Sequence, residues 1–414
     1  MTTSPVPPTA TAWSRWGARS LDVARVAAIV GAVAIPVSTA LVSTACGVLV
    51  LALVLSGQAH RVLSRAFSQP LGLAILVFFL VIAAGMLHGP ADWPERLGSL
   101  WSWRKLLYAF LLLGLFGDEV WKRRFAWTLA GASLVGVLAS FAAFAGWIPS
   151  RDNTEIGVLF QNHTTQGLVF SVGIVCCVQL ASSTRGAWRW AMVAAAVLLV
   201  LNILFVSPGR STYLVIAAIP VVLGVQRFGW RRVPALISIV VVLAVAAYAF
   251  SSMVRERVDL AWQEVTTHET SQSLTSVGFR AVVYRNTAEL IAAHPIAGYG
   301  TGSFHEVYTA HVRGRYTDWR GEGTADPHNQ YLLIAMETGV IGLLAFVGIL
   351  VTAFRVVRTR SPWAWVGVTV LAGWILTSLF NSHFRTFAEG HLVAFVLGAM
   401  LARDLRSADA HDGR

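Results

Sequence analysis

Apolar runs long enough to cross a hydrocarbon core recur along most of the chain, separated by short polar connections. Twelve can be read, at about 21–36, 38–56, 71–88, 104–117, 124–146, 164–181, 187–206, 211–226, 233–251, 328–354, 362–380 and 386–404. The first two are separated only by the region of Pro36 and could form one hairpin, and the fourth is short. One stretch breaks the pattern: residues 252–327 are polar, whereas every other connection is brief. Inside it, Phe279 to His294 has the spacing of an amphipathic helix stopped by Pro295. Next comes Gly298-Tyr299-Gly300-Thr301-Gly302, a turn that lets backbone approach a ligand or another helix closely. The pattern predicts an all-α polytopic membrane protein of about twelve transmembrane helices. Its parts are a tail (1–20), nine helices (21–251), a long loop containing short helices (252–327), three further helices (328–404) and a second tail (405–414).

Composition supports lipid as the solvent. Of 414 residues, 56% are hydrophobic and 13% charged, about half the ~25% charged residues of soluble domains. Mean hydropathy is +0.62. The net charge of +11 raises nucleic acid as a partner, but that would need a basic stripe on a soluble domain. Here the charges sit between apolar runs. With the N-terminus in the cytoplasm, 19 of the 32 basic residues fall in inner loops and tails, six in short outer segments, and the rest in the long loop. That asymmetry predicts an even number of spans, both ends inside, the long loop outside, and membrane lipids rather than nucleic acid as partners. Trp101, Trp103, Trp147, Trp230 and Trp363 lie near span ends, as interfacial anchors do. Cys46, Cys176 and Cys177 lie inside apolar runs, with no disulfide or metal spacing. The first run follows about twenty polar residues and shows no cleavage site, so no cleavable leader is expected.

Candidate chemistry gathers at the outer side. His328, in Asp326-Pro327-His328-Asn329-Gln330-Tyr331, heads the tenth run, where a His can do acid–base work near neutral pH. Taken alone, such a His more often bonds locally at a helix start. Arg210 lies in Ser207-Pro208-Gly209-Arg210-Ser211, a tight break between two spans, where a charge is costly unless it has a function or snorkels. Ser211 and the N–H groups after Gly209 would add an anion-friendly helix start. Arg280 shares a helix face with Tyr284 and Thr287, while Arg285 falls on a substantially different face, where solvation is the default. Guanidinium groups suit pyrophosphate. Arg residues and one His converging at an outer membrane surface point to a lipid-pyrophosphate donor and an acceptor hydroxyl to be deprotonated.

His328-Asn329, followed nine residues on by Gly339-Val340-Ile341-Gly342, resembles the pattern of bacterial O-antigen ligases. Arg280 to Phe304, with His294-Pro295 and Gly298-Tyr299-Gly300, is similar to the segment preceding that motif, and Ser207 to Ser211 to its upstream Arg motif. With the spacing to Gly339 and Gly342 and the Arg motifs, His328 is read as catalytic. The resemblance implies a glycosyltransferase of GT-C-like fold in the bacterial inner membrane, its site on the periplasmic face. It implies an undecaprenyl-pyrophosphate-linked glycan as donor and lipid A–core as acceptor. His328, Arg280 and Arg210 match the residues on which activity depends; Arg285, Tyr284, Asn329 and Ser211 are expected to help bind substrate. Where some members have an important acidic residue, this chain offers Asn381, with Glu389 further along. No Asp-x-Asp site is visible on the outer side, so neither metal nor cofactor is expected. Polymerases and protein O-oligosaccharyltransferases share the superfamily. A transporter of lipid-linked glycans would instead want ionisable residues at mid-span.

Overall fold

Each of the twelve apolar runs folds as a helix in the computed structural model, which describes residues 12–151, 155–207, 209–267, 275–359 and 361–404. The α-helices are α1 (Ala12–Ala34), α2 (Thr39–Leu55), α3 (Ala59–Phe67), α4 (Pro70–Gly85), α5 (Trp93–Ser102), α6 (Lys105–Leu115), α7 (Glu119–Phe144), α8 (His163–Ser183) and α9 (Ala187–Phe205). They continue with α10 (Arg210–Phe228), α11 (Val233–Phe250), α12 (Ser252–Thr267), α13 (Ser276–Ala293), α14 (Phe304–Val312), α15 (Gln330–Arg355), α16 (Pro362–Thr377) and α17 (Phe387–Met400). No strand occurs among the described residues. Short polar side chains start several of these helices by accepting a first-turn N–H: Ser38 before α2, Asp92 before α5, Asp118 before α7, Asn162 before α8, Thr275 before α13 and Asn329 before α15. α1 begins within the expected tail, carrying Arg15 and Arg19 exposed, and the segment 405–414 lies outside the described residues.

The helices divide by their surroundings. In α8, 89% of the apolar window is buried, against 6% in α11. α8 is therefore central, while α11 exposes Val241, Val242, Leu243 and Val245 by more than half each. An apolar helix bare of cover belongs in hydrocarbon, not water. This is an all-helical, multi-pass membrane protein. Six described helices have both the length and the hydropathy for a full crossing: α7, α8, α9, α10, α11 and α15. α2 and α3 make a seventh only if counted together, and they bend by 107° at the break. The remaining runs differ from the expected full spans. α4, α16 and α17 are shorter apolar helices, and the 11 residues of α6 rise only about 17 Å, against ~30 Å of hydrocarbon.

The segment after α11 is more ordered than its polarity predicts. α13 covers the expected amphipathic helix, starting three residues earlier; α12 and α14 are further short helices in the loop, at positions the sequence had not located. Val283, Leu290, Phe304, Tyr308 and Val312 form a small core with Leu333 and Met336 of α15. The segment is thus anchored on the first half of α15.

That anchoring depends on a break inside α15. Gly339 has φ 63° and ψ −161°, a backbone state open to glycine. The break frees the carbonyls of Met336 and Glu337, which accept the N–H groups of Tyr299 (2.9 Å) and Gly300 (2.8 Å). Val340 N–H in turn donates to Pro295 O at 2.8 Å. A Cβ on Gly339 would collide with the Ile296 carbonyl, and one on Gly300 with the His88 carbonyl. The Gly-rich turn therefore approaches helices: α15 on one side and the end of α4 on the other, where Thr301 N–H donates to Gly85 O at 2.9 Å.

Candidate active site

The first residues of α8, α10 and α15 converge with α13 and with the turn between α16 and α17. Gln330 N–H donates to Ser378 O at 2.9 Å, and Phe384 N–H to Gln330 Oε1 at 3.0 Å. Thr165 of α8 donates to the buried Glu389 of α17 at 2.6 Å. Asn381 Nδ2 donates to Ser211 Oγ at 3.0 Å. Three helix N-termini thus gather at one end of the bundle, an arrangement that favours negative charge.

His328 lies at the centre of this convergence. It is the single non-glycine residue with positive φ among the described residues, at 53°, and such a state is held only when its surroundings determine it. Those surroundings are visible. The His328 N–H donates to Asp326 Oδ1 at 2.7 Å. The Tyr284 hydroxyl lies 2.9 Å from His328 O and 2.7 Å from Leu379 O, donating its one proton to either. Phe279 meets the imidazole edge-to-face at 5.8 Å. Burial raises the Tyr284 phenol, so it remains a neutral donor.

The electrostatics leave His328 neutral. Burial pushes its imidazole below the ordinary histidine range; the nearby Asp326 carboxylate pushes back, Arg280 pushes further down, and a hydrogen bond with Asn381 supports the charged form. Because Asn381 Nδ2 is engaged by Ser211, its Oδ1 is the atom left to accept a ring N–H. In a neutral imidazole this leaves the other ring nitrogen unprotonated, as a general base requires.

Of the expected site residues, His328, Tyr284, Asn329, Arg280 and Ser211 meet here. Asn329 caps α15, its Oδ1 accepting from Tyr331 N–H (3.0 Å) and Leu332 N–H (3.1 Å) while Nδ2 donates to Leu379 O (3.0 Å). Arg280 reaches back to Ser276 Oγ at 2.5 Å and acts on both His328 and Tyr284 electrostatically. Arg210 is the first residue of α10; its side chain lies outside the described residues. Arg285 does not join the group: its side chain is 80% exposed and pairs with Glu289 one turn on, at 3.6 Å.

Two residues were undervalued in the sequence. Asp326, named in the sequence only as part of the His328 motif, holds both His328 and the Ser382 hydroxyl (2.6 Å). Its signal was the two-residue spacing to His328, typical of a carboxylate accepting a nearby backbone N–H. Asn381, left without a role, joins His328 to Ser211 across 170 residues of sequence, and no local pattern encodes that. Glu389 faces Thr165 and His383.

No curated protein matches the chain. The family model described as O-antigen ligase matches residues 194–347, a segment that holds Arg210, Ser211, Arg280, Tyr284, His328 and Gly339 and stops short of Asn381; over this segment the chain is similar to the O-antigen ligase family.

Proposed function

We propose that the protein transfers a glycan from undecaprenyl pyrophosphate to a sugar hydroxyl of lipid A–core, on the periplasmic face of the bacterial inner membrane. The observation that carries this reading is the neutral, oriented imidazole of His328 beside Arg280 and the start of α10. The family implies lipid-linked glycan substrates and a ligase- or polymerase-like glycosyl transfer. In such a donor the anomeric carbon already carries pyrophosphate, a good leaving group. The demanding step is attack by a weakly nucleophilic hydroxyl.

In the proposed step the unprotonated nitrogen of His328 takes the acceptor proton as the new C–O bond forms. The anomeric C–O bond to pyrophosphate breaks, its electron pair leaving with the phosphate. Arg280 and Arg210 stabilise the charge that develops there. Direct displacement predicts inversion at the anomeric carbon, and metal independence is part of the proposal. The first half of α13, pinned through Tyr284 to the α15 and α16 ends, would cover the reacting groups from the aqueous side.

The test uses purified protein with both lipid substrates. His328→Ala is expected to reduce transfer by about 10²–10⁴-fold while donor binding persists, and wild-type transfer should survive a chelator. Undiminished ligation by His328→Ala sinks the base role. Product formation on a second lipid-linked glycan, with none on lipid A–core, reassigns the protein as a polymerase.

A further inference from the structure

The start of α8 carries a pair of ionisable side chains that the proposed transfer does not use. His163 is the first residue of α8, and its Nδ1 lies 2.5 Å from Glu155 Oε1. Its backbone carbonyl accepts the Ser207 hydroxyl at 3.3 Å. The opposite edge of the ring faces α10, since a Cβ on Gly209 would stand 3.6 Å from His163 Cδ2. Cδ2 is bonded to Nε2. With Nδ1 on the carboxylate, the remaining ring nitrogen is on the side of the Gly209 turn.

What lies there is an open helix start. Asn162 and Asn329 cap α8 and α15, but α10 begins at Gly209 with no side-chain cap. The N–H groups of Thr212 and Tyr213 donate to Gly209 O. The Thr212 side chain is fully buried, its hydroxyl has no hydrogen-bond partner, and it lies 2.8 Å from where a Gly209 Cβ would stand. Ser211, one residue before, is joined through Asn381 to His328. An uncapped helix start, a buried hydroxyl without a partner and a carboxylate-held imidazole therefore border one spot, next to the proposed base.

We propose that His163, oriented by Glu155, is a further binding residue for the donor's diphosphate, seated on the first turn of α10. This rests on the glycosyl-transfer reading and adds to it a group from outside the segment the family model matches. The chemistry is that of an anion site. Helix N–H groups and the Thr212 hydroxyl supply neutral donors. With both ring nitrogens carrying a proton, the imidazole donates from Nδ1 to the carboxylate and from Nε2 to the anion. The carboxylate lies behind the ring, which stands between the two negative groups.

The experiment is binding of undecaprenyl pyrophosphate to the purified full-length protein, together with donor and acceptor KM values. His163→Ala is expected to weaken binding about ten- to hundredfold and to raise the donor KM in step, with the acceptor KM unchanged. Glu155→Gln, which keeps the shape and removes the charge, should move both values the same way by less. Melting curves matching wild type exclude loss of fold, which a merely structural pair would show instead. Wild-type affinity in folded His163→Ala, or equal losses for donor and acceptor, overturns the proposal. If wild-type protein neither binds the pyrophosphate lipid nor transfers a glycan, the glycosyl-transfer reading falls first.

Discussion

Asp326→Asn separates charge from shape at the proposed base. Asp326 Oδ1 accepts the His328 N–H at 2.7 Å and the Ser382 hydroxyl at 2.6 Å. Asparagine keeps that oxygen and both bonds but removes the negative charge. Hydrogen bonds to a charged group are worth about 1.5–3 kcal/mol against about 0.5–1.5 for neutral ones. Two such bonds weakened by about 1 kcal/mol each cost about 2 kcal/mol of stability, so the fold should survive with a lower melting temperature. The kinetic effect is larger in kind. A carboxylate close to an imidazole favours its charged form, and the partly exposed Asp326 does so for His328. Losing that support while burial and Arg280 still favour the neutral ring should move the acid limb of kcat/KM to lower pH. The weaker base should also lower the plateau. The assay is glycan transfer by purified protein from about pH 5 to 9. A folded variant whose acid limb stays in place refutes the electrostatic account of His328.

Asn381→Asp should do the reverse for the base, since a carboxylate on the ring N–H strengthens it: the acid limb moves up while the donor KM rises, the new charge bordering the proposed diphosphate site, whereas Asn381→Leu should lose most transfer at every pH. His383 is buried with neither ring nitrogen hydrogen-bonded, and burial pushes its imidazole down to about 4 despite Glu389 and Asp326. Its unfolded form binds protons first, so stability present above pH ~6.5 should fall by about 3 kcal/mol as the pH drops toward 4; melting curves across that window should flatten in His383→Gln. Gly339→Ala puts a Cβ against the Ile296 carbonyl at φ 63°, at a cost of about 2–4 kcal/mol from left-handed strain and displaced backbone; a melting temperature within a degree of wild type contradicts that packing argument.

The helices were legible in the sequence because each is a long apolar run, and some also carry a cap, such as Asn162 before α8 and Asn329 before α15. Whether a run crosses the membrane alone was less legible. The 107° bend between α2 and α3 and the 11 residues of α6 depend on neighbours that accept a short or broken helix. Short helices were expected in the long loop, but the positions of α12 and α14 were not legible, although α14 buries Phe304, Tyr308 and Val312. For the site, His328 and Gly339 stood out as motif positions. Their reasons did not: His328 is held at positive φ by partners near 284, 326 and 379, and Gly339 is required by a turn forty residues earlier. Helical spacing put Arg280 with Tyr284 and Arg285 on a different face, and Arg285, expected to help bind substrate, stands exposed beside Glu289.

In the proposed site, Asn381 and Asp326 together take the part of an acidic residue at position 381. A carboxylate on the imidazole would both orient the ring and raise its pKa. Here the two tasks are divided. Asn381 orients the ring by accepting its N–H while tied to Ser211 at the start of α10, and Asp326 supplies the negative charge from the backbone side while tied to Ser382. The division has a consequence for an anionic substrate. A carboxylate at 381 would border the open start of α10, where the diphosphate is proposed to sit, and would repel it. At 326 the same charge supports His328 from the other side of the residue, leaving the neutral amide to face the anion.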